Sequence, residues 1–227
     1  MVNISTPVII LNFKTYRQGT GENAVELAKA CELVEQESGI PIVAAVQAAD
    51  IYRVVSSVDK LKVIAQHMDP VEPGKNTGFI TPEAIQQAGA IGSIINHAEH
   101  QLPLEKISEL IKRAKALDLF TVVCADTARK AGEVARLGPD MVSVEPPELI
   151  GTGISVSKAK PDLVRSVVEK VHAINPELPA LCGAGITEKE DVIRAVQQGA
   201  QGILLASGVV LSKDPEGVLR ELAAGFR

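Results

Sequence analysis

The sequence predicts one α/β domain, residues 1–227, folded as a closed (β/α)₈ barrel of eight parallel strands. Short apolar runs rich in Val and Ile recur along the whole chain, and stretches of helical periodicity separate them. Eight such pairs are present, which is the number at which a parallel barrel closes, whereas doubly wound sheets usually stop at about five or six strands. No linker or shift in composition divides the chain, so we expect a single barrel.

The apolar runs are the expected strands, and each is short enough to be a strand buried on both faces. In chain order they are Pro7–Phe13, Ile42–Val46, Leu61–Ala65, Ile91–Ile95, Phe120–Cys124, Met141–Val144, Ala180–Cys182 and Gly202–Leu205.

The helices are expected between these runs, and the clearest is Leu102–Leu119, where apolar residues line one face and Lys or Glu the other. Capping residues and prolines mark several helix starts. These are Thr81-Pro82, Leu102-Pro103, Lys160-Pro161, Thr187 with Glu190, and Asp214-Pro215.

Composition and charge exclude several classes of function. The net charge of -5 argues against a nucleic-acid partner, which would require a basic face. No uninterrupted apolar run reaches about 18 residues, so no membrane span or membrane partner is predicted. The start of the chain has no charged leader, and we expect a cytoplasmic protein. Cys31, Cys124 and Cys182 are widely separated and are expected to be free thiols.

In such barrels the functional groups lie at the carboxyl ends of the strands. Asn12 and Lys14 follow the first strand, and in an acidic protein a lysine at the mouth would hold an anionic ligand. Spacing alone leaves open the alternative of a solvated lysine.

Two titratable residues at later strand ends suggest proton transfer. His97 precedes a short helical stretch, whose N-terminus would keep the imidazole neutral and able to donate a hydrogen bond to a carbonyl; a structural histidine is the alternative. Glu145 is either a general base or a surface charge at a loop start. The prolines after it and the glycines at 151 and 153 predict a lid over Pro147–Gly153.

The spacing of His97, Glu99 and His100 suits a metal only approximately, so we predict no metal site.

The last two strands end in small residues, Gly183-Ala184-Gly185 and Ala206-Ser207-Gly208, ahead of helical segments. Such turns present backbone N–H groups that bind phosphate, although tight-turn packing would explain the same residues.

The order of these motifs resembles the triosephosphate isomerase family along essentially the whole chain. The segments that carry the resemblance are Asn12-Phe13-Lys14, Asn96-His97-Ala98-Glu99, Glu145-Pro146 and Ile150-Gly151-Thr152-Gly153. The compact length, Pro146-Pro147-Glu148 and Leu205–Gly208 are similar to the archaeal branch. The resemblance implies interconversion of dihydroxyacetone phosphate and D-glyceraldehyde 3-phosphate through an enediolate, in glycolysis and gluconeogenesis, with no cofactor.

The resemblance also implies the role of each site residue. Glu145 would be the base, His97 the electrophile, and Lys14 with Asn12 their support, while Glu99 would pair with Lys14. Thr77, in the loop Pro73–Gly78, would reach into a neighbouring subunit's site. The triose phosphate would bind backbone groups of Ile150, Gly151, Gly185, Ala206 and Ser207.

The chain departs from that family's usual pattern at four positions. Ala98 and Gly185 stand where the family usually has serines, Cys182 where it has the tyrosine that latches the lid, and Glu148 where a hinge tryptophan is common. The latch must therefore differ here.

The short chain and the resemblance predict a homotetramer, built as a dimer of dimers. A barrel of this type typically has about 250 residues. Trimming of the fourth and fifth helices would uncover an apolar surface for a partner.

Two rival functions remain at this point: another phosphate-binding barrel enzyme, acting on a larger aminosugar or thiazole phosphate, and a non-catalytic sugar-phosphate sensor.

Overall fold

Eight parallel strands form a closed barrel in a computed structural model of the chain, which describes residues 4–146, 148 and 155–227. Each strand pairs with the next, and β1 pairs with β8. The predicted fold class is therefore confirmed. The strands are β1 (Val8–Asn12), β2 (Ile42–Val46), β3 (Lys62–Ala65), β4 (Gly92–Ile95), β5 (Phe120–Ala125), β6 (Met141–Val144), β7 (Ala180–Cys182) and β8 (Gly202–Leu205).

Helices connect the strands. They are α1 (Glu22–Ser38), α2 (Ile51–Val55), α3 (Pro82–Gln87), α4 (Leu104–Ala116), α5 (Ala128–Ala135), α6 (Val156–Ala159), α7 (Pro161–His172), α8 (Lys189–Gln197), α9 (Ser207–Val210) and α10 (Pro215–Ala224). None of the helices in the described part of the chain has both the length and the apolar character needed to cross a membrane.

Two of the predicted helix starts are confirmed by side-chain cap hydrogen bonds, whereas α4 and α7 begin next to Pro103 and at Pro161 without one. The Thr81 side chain accepts from the Ala84 N–H at the start of α3, and the Asp214 side chain accepts from the Gly217 N–H at the start of α10. The start predicted at Thr187 is off by one residue. Glu188 is the N-cap of α8, and its reciprocal partner in the capping box is Asp191.

Strand alternation separates two apolar layers. One set of side chains fills the barrel interior, and the other packs between the strands and the helices. In β6, Met141 belongs to the interior set, whereas Val142 and Val144 belong to the outer set. By the same alternation, Ser143 and Glu145 lie on the interior side. On β1, Ile10 belongs to the interior set, so Asn12, two residues later, also faces inward, at the mouth of the barrel.

The prediction about the outer helices is only half right. The fifth helix, α5, is short, with 8 residues, but α4 has 13 and is not trimmed. The apolar side of α5 is buried against α7, so no surface is uncovered there. Among the described residues, the large apolar side chains that are exposed lie elsewhere, at Leu33, Tyr52, Phe79, Val196 and Leu211.

Candidate active site

The carboxyl ends of the strands surround two adjoining cavities that share Asn12, Lys14 and His97 in their walls. The first cavity is lined by the turns after β7 and β8, which include Gly185, Ala206 and Ser207. The second has a volume of about 320 Å³ and is lined by Glu99 and His100, among others. The fold therefore brings most of the predicted site residues to one mouth.

Lys14 lies in a strained bend at the end of β1. Its φ is 48°, a left-handed conformation that costs an ordinary residue on the order of 1–2 kcal/mol. The bend is stabilised by the Lys14 N–H, which donates to Asn12 Oδ1 at 2.9 Å, and by the Gln66 amide, which donates to the Lys14 carbonyl at 2.9 Å. The ammonium donates to Glu99 Oε1 at 2.8 Å, and the side chain is only 12% exposed. A solvated lysine is thereby excluded.

His97 is directed into the mouth by a second left-handed residue, Asn96, whose φ is 61°. The Asn96 amide donates to the Cys124 carbonyl at 2.8 Å and accepts from the Leu102 N–H at 2.8 Å, and these bonds hold the bend. His97 Nδ1 accepts a hydrogen bond from the Glu99 N–H at 3.1 Å. The proton of the neutral ring is therefore on Nε2.

The cause that the sequence suggested for a neutral His97 is wrong. A turn follows the residue, and α4 begins only at Leu104, so the segment after His97 presents no helix N-terminus to the ring. Burial instead lowers the pKa of His97 to about 4, with a further contribution from the nearby Lys14 ammonium, while Glu99 acts in the opposite direction. The imidazole is neutral at physiological pH for these reasons.

Glu145 follows β6, and its side chain is only 1% exposed, which excludes a surface charge. Its Oε2 lies 3.4 Å from His97 Nε2. Neither carboxylate oxygen has a hydrogen-bond partner of good geometry within the described residues. Burial raises the pKa of Glu145 to about 8, although the Cys124 thiol and the Lys14 charge offset part of the effect. A carboxylate with a pKa near neutrality is suited to general-base catalysis.

Gly183 is needed beside Glu145 for a steric reason that sequence analysis missed. A Cβ at this position would lie 2.6 Å from the Cγ of Glu145 and would overlap Ser143 Oγ. Gly185, two residues later, adopts a φ of 69°, so it turns the backbone where few other residues would.

A buried polar cluster behind the turn after β7 was also missed. The Asp191 carboxylate accepts hydrogen bonds from the N–H groups of Thr187 and Glu188, at 3.0 and 3.3 Å. The Asp191 carbonyl accepts from Ser157 Oγ at 3.0 Å, and the Ser157 carbonyl accepts from the Gln198 amide at 2.8 Å. The only sequence signal for this cluster is the spacing of the capping box.

Cys182 lies beside the same cluster. Burial raises the pKa of its thiol to about 12, and the backbone N–H groups of Ala184 and Ser157 hydrogen-bond to the sulfur. The thiol is therefore neutral and links the turn after β7 to the start of α6.

The three residues considered for a metal, His97, Glu99 and His100, do not form a ligand set. The His100 ring stacks on His67, with ring centroids 3.7 Å apart, and His67 Nε2 lies 3.2 Å from Asp69 Oδ1. Across the residues that the structure describes, no group of three or more His, Cys, Asp or Glu side chains is arranged to hold a metal.

Some predicted residues fall outside the mouth or outside the described ranges. The structure does not describe Ile150 and Gly151. Of the expected lid, Pro147–Gly153, it describes only Glu148. Glu148 is exposed and forms an ion pair with Lys160. Thr77 is exposed in the loop after β3 and does not line the mouth of its own chain.

Comparison with known proteins points to one family. The family model described as Triosephosphate isomerase matches residues 7–222. The triosephosphate isomerase of Methanobacterium bryantii is 48% identical over 96% of this chain and 96% of its own length. The enzyme of Methanothermus fervidus is 49% identical over 95% of this chain and 97% of its own length. The enzyme of Methanosarcina mazei is 48% identical over 96% of this chain and 98% of its own length. The chain belongs to the triosephosphate isomerase family.

Proposed function

We propose that Glu145 is the base that moves the proton in the reaction of this family, with His97 as its electrophilic partner. The reaction interconverts dihydroxyacetone phosphate and D-glyceraldehyde 3-phosphate in glycolysis and gluconeogenesis. The observation that carries the assignment is a buried, unpaired carboxylate 3.4 Å from a neutral imidazole at the mouth of the barrel.

The proton moves between adjacent carbons. Glu145 removes the proton from the carbon next to the carbonyl, and the carbonyl oxygen gains negative charge as the enediolate forms. The Nε2–H of His97 donates to that oxygen, and the Lys14 ammonium stabilises its charge. Glu145 then returns the proton to the neighbouring carbon. A second proton must also move, from the hydroxyl on the adjacent carbon to the former carbonyl oxygen, and His97 Nε2 can relay it between the two oxygens. Both protons and the electron pair stay within the substrate, Glu145 and His97, so the isomerisation is balanced without a cofactor.

Asn12 supports this step. Its carbonyl oxygen is already committed to the Lys14 N–H, so the amide NH₂ is the half of the side chain that can donate to the substrate. Glu99 holds the Lys14 ammonium through their 2.8 Å hydrogen bond.

The substrate phosphate binds at the other end of the mouth. Gly185, Ala206 and Ser207 supply backbone N–H groups from the turns after β7 and β8, and both turns line the first cavity together with Lys14. The resemblance adds Ile150 and Gly151 to this set. Because Gly185 has no hydroxyl, it binds only through its backbone.

The proposed assembly is a homotetramer in the cytoplasm, built as a dimer of dimers in which Thr77 of each chain approaches a neighbouring site. Thr77 and Phe79 are exposed in the same loop, and Phe79 is 54% exposed, as expected of a docking loop. The interface between the two dimers is not supported by an apolar patch on α4 or α5. It is proposed only from the resemblance to the archaeal branch of the family, whose chains are also short.

An assay of the purified chain with glyceraldehyde 3-phosphate tests this function. We expect rapid formation of dihydroxyacetone phosphate by the parent. Glu145→Asp retracts the base by about 1 Å and should slow turnover on the order of a hundredfold, and Glu145→Gln should slow it further. Binding without turnover by the parent would contradict the function. If Glu145→Gln retained turnover within about threefold of the parent, Glu145 would not be the base.

A further inference from the structure

A fully buried hydroxyl in the barrel interior has no hydrogen-bond partner. Ser143 lies in β6, and its Oγ forms no hydrogen bond within the described residues. Most buried hydroxyls are paired, because an unmade hydrogen bond destabilises the fold. Two other buried strand hydroxyls follow this rule. Ser93 Oγ donates to the Ile94 carbonyl at 2.7 Å, and Thr121 Oγ1 donates to Asp140 Oδ2 at 2.8 Å.

The unpaired hydroxyl lies next to the base. Glu145 comes two residues after Ser143, directly after β6, and its N–H donates to the Ala125 carbonyl of β5 at 2.8 Å as a further strand residue would. The two side chains therefore share a face. Both also border the same small gap at Gly183, where an added Cβ would overlap Ser143 Oγ and lie 2.6 Å from the Cγ of Glu145. The glycine leaves that gap free of its own side chain, so position 183 places no side chain between the hydroxyl and the base.

The base has few donors of its own. Within the described residues neither oxygen forms a well-aligned hydrogen bond, although the Ala98 N–H and the Cys124 thiol are near enough to lower its pKa. The titratable groups around it are His97, Lys14, Glu99 and Cys124. His97 Nε2–H serves the substrate, the Lys14 ammonium is held by Glu99, and a thiol is a weak donor. An unpaired hydroxyl donor and an unpaired carboxylate acceptor therefore adjoin each other in a buried space.

We propose that Ser143 is a positioning residue for the base: when the ionised Glu145 side chain turns toward Ser143, the hydroxyl donates a hydrogen bond to the carboxylate and stabilises its proton-accepting form. The proposal rests on the role assigned to Glu145 above. It gives Ser143 no contact with the substrate. Its effect appears only in the ionisation of the base.

The test is the pH dependence of kcat/KM for Ser143→Ala. Loss of a hydrogen bond to the charged carboxylate should move the acid limb of the profile upward by about one pH unit. At pH 6 the variant should therefore be about tenfold slower than the parent, whereas at pH 10 the two rates should converge. The substrate phosphate titrates alike in both assays, so the difference between the profiles reports the base.

Two further variants separate positioning from a general packing defect. Ser93→Ala removes a buried hydroxyl from β4, two strands away from β6 in the barrel, whose own hydrogen bond goes to the Ile94 carbonyl. This variant should leave the midpoint of the acid limb unchanged. In a Glu145→Gln background, Ser143→Ala should no longer change the residual rate, because its effect passes through the carboxylate.

The inference is overturned if the acid limbs of parent and Ser143→Ala coincide, or if the variant is slower by one constant factor at every pH. An inactive parent would instead contradict the proposed function. A Ser143→Ala protein that matches the parent at pH 10 and falls behind it as the pH drops supports the inference.

Discussion

At the scale of single residues, the site contains several features that oppose folding. Lys14 and Asn96 adopt left-handed backbone conformations, and Glu145 places an unpaired carboxyl group in a buried position. Each feature has a chemical use, because the two bends direct Lys14 and His97 into the mouth and burial makes Glu145 a stronger base. Strain of this kind concentrates at functional sites, where the surrounding structure holds it in place.

The buried carboxyl predicts a gain of stability on its removal. The pKa of Glu145 is about 8 in the folded chain and near the ordinary value of 4.5 when unfolded, so the folded state holds a proton that the unfolded state has lost between these values. The parent therefore loses stability as pH rises through this window. Glu145→Gln should raise the melting temperature at pH 9 by about 4 °C or more and leave it nearly unchanged at pH 4.

Glu148→Gln is the matched control for that measurement. Glu148 is exposed, and its ion pair with Lys160 lowers its pKa, so this substitution removes no buried charge. Thermal unfolding followed by circular dichroism should show no gain at pH 9. An equal melting temperature for Glu145→Gln and the parent at pH 9 would contradict the burial argument.

His97 should remain neutral when an anionic inhibitor is bound. Burial and the Lys14 charge both lower its pKa, to about 4, and the Glu99 N–H fixes the proton on Nε2. Nitrogen NMR of ¹⁵N-labelled histidine should show that tautomer between pH 6 and 7. An imidazolium signal from His97 in this range would refute the assignment.

At the scale of elements, the cluster around Asp191 joins α8, α6 and the turn after β7. Because the Asp191 carboxylate accepts hydrogen bonds from the N–H groups of Thr187 and Glu188, it positions the turn after β7, which is proposed to bind the phosphate. Asp191→Ala should raise KM for glyceraldehyde 3-phosphate on the order of tenfold and change kcat much less, since the turn binds the unreactive end of the substrate.

Asp214→Ala provides the control, because it removes the cap of α10, which lies outside the mouth. Removing a helix cap costs about 1 kcal/mol of stability. We expect this variant to keep the parent KM. If Asp191→Ala also kept the parent KM, the cluster around Asp191 would stabilise the fold but would have no role in substrate binding.

At the scale of the whole molecule, assembly is the main open prediction. Each chain has a mass of 24.0 kDa, and sedimentation equilibrium at micromolar concentration should give four times that value. A mass of two chains at every concentration would exclude the tetramer. A two-chain species that forms the tetramer as concentration rises would place the weaker contact between dimers.

Much of this molecule was predictable from its sequence, because strands and helices follow local patterns. The alternation of eight apolar runs with helical segments was sufficient for the barrel, and the rule that function lies at strand ends selected Asn12, Lys14, His97 and Glu145. The sequence also indicated the two turns that are proposed to bind phosphate. These features depend on neighbours along the chain, and their order is what made the resemblance recognisable.

The tertiary structure decided what depends on residues distant in sequence. Glu145 is a buried group and not a surface charge because β5, β7 and the turn after β4 enclose it. His97 is neutral because of burial and Lys14, not a helix N-terminus. The unpaired Ser143 hydroxyl, the space left by Gly183 and the absence of an apolar patch on α4 and α5 within the described residues follow only from packing. A local pattern specifies an element, but the electrostatic environment and free volume around a side chain are set when the barrel closes.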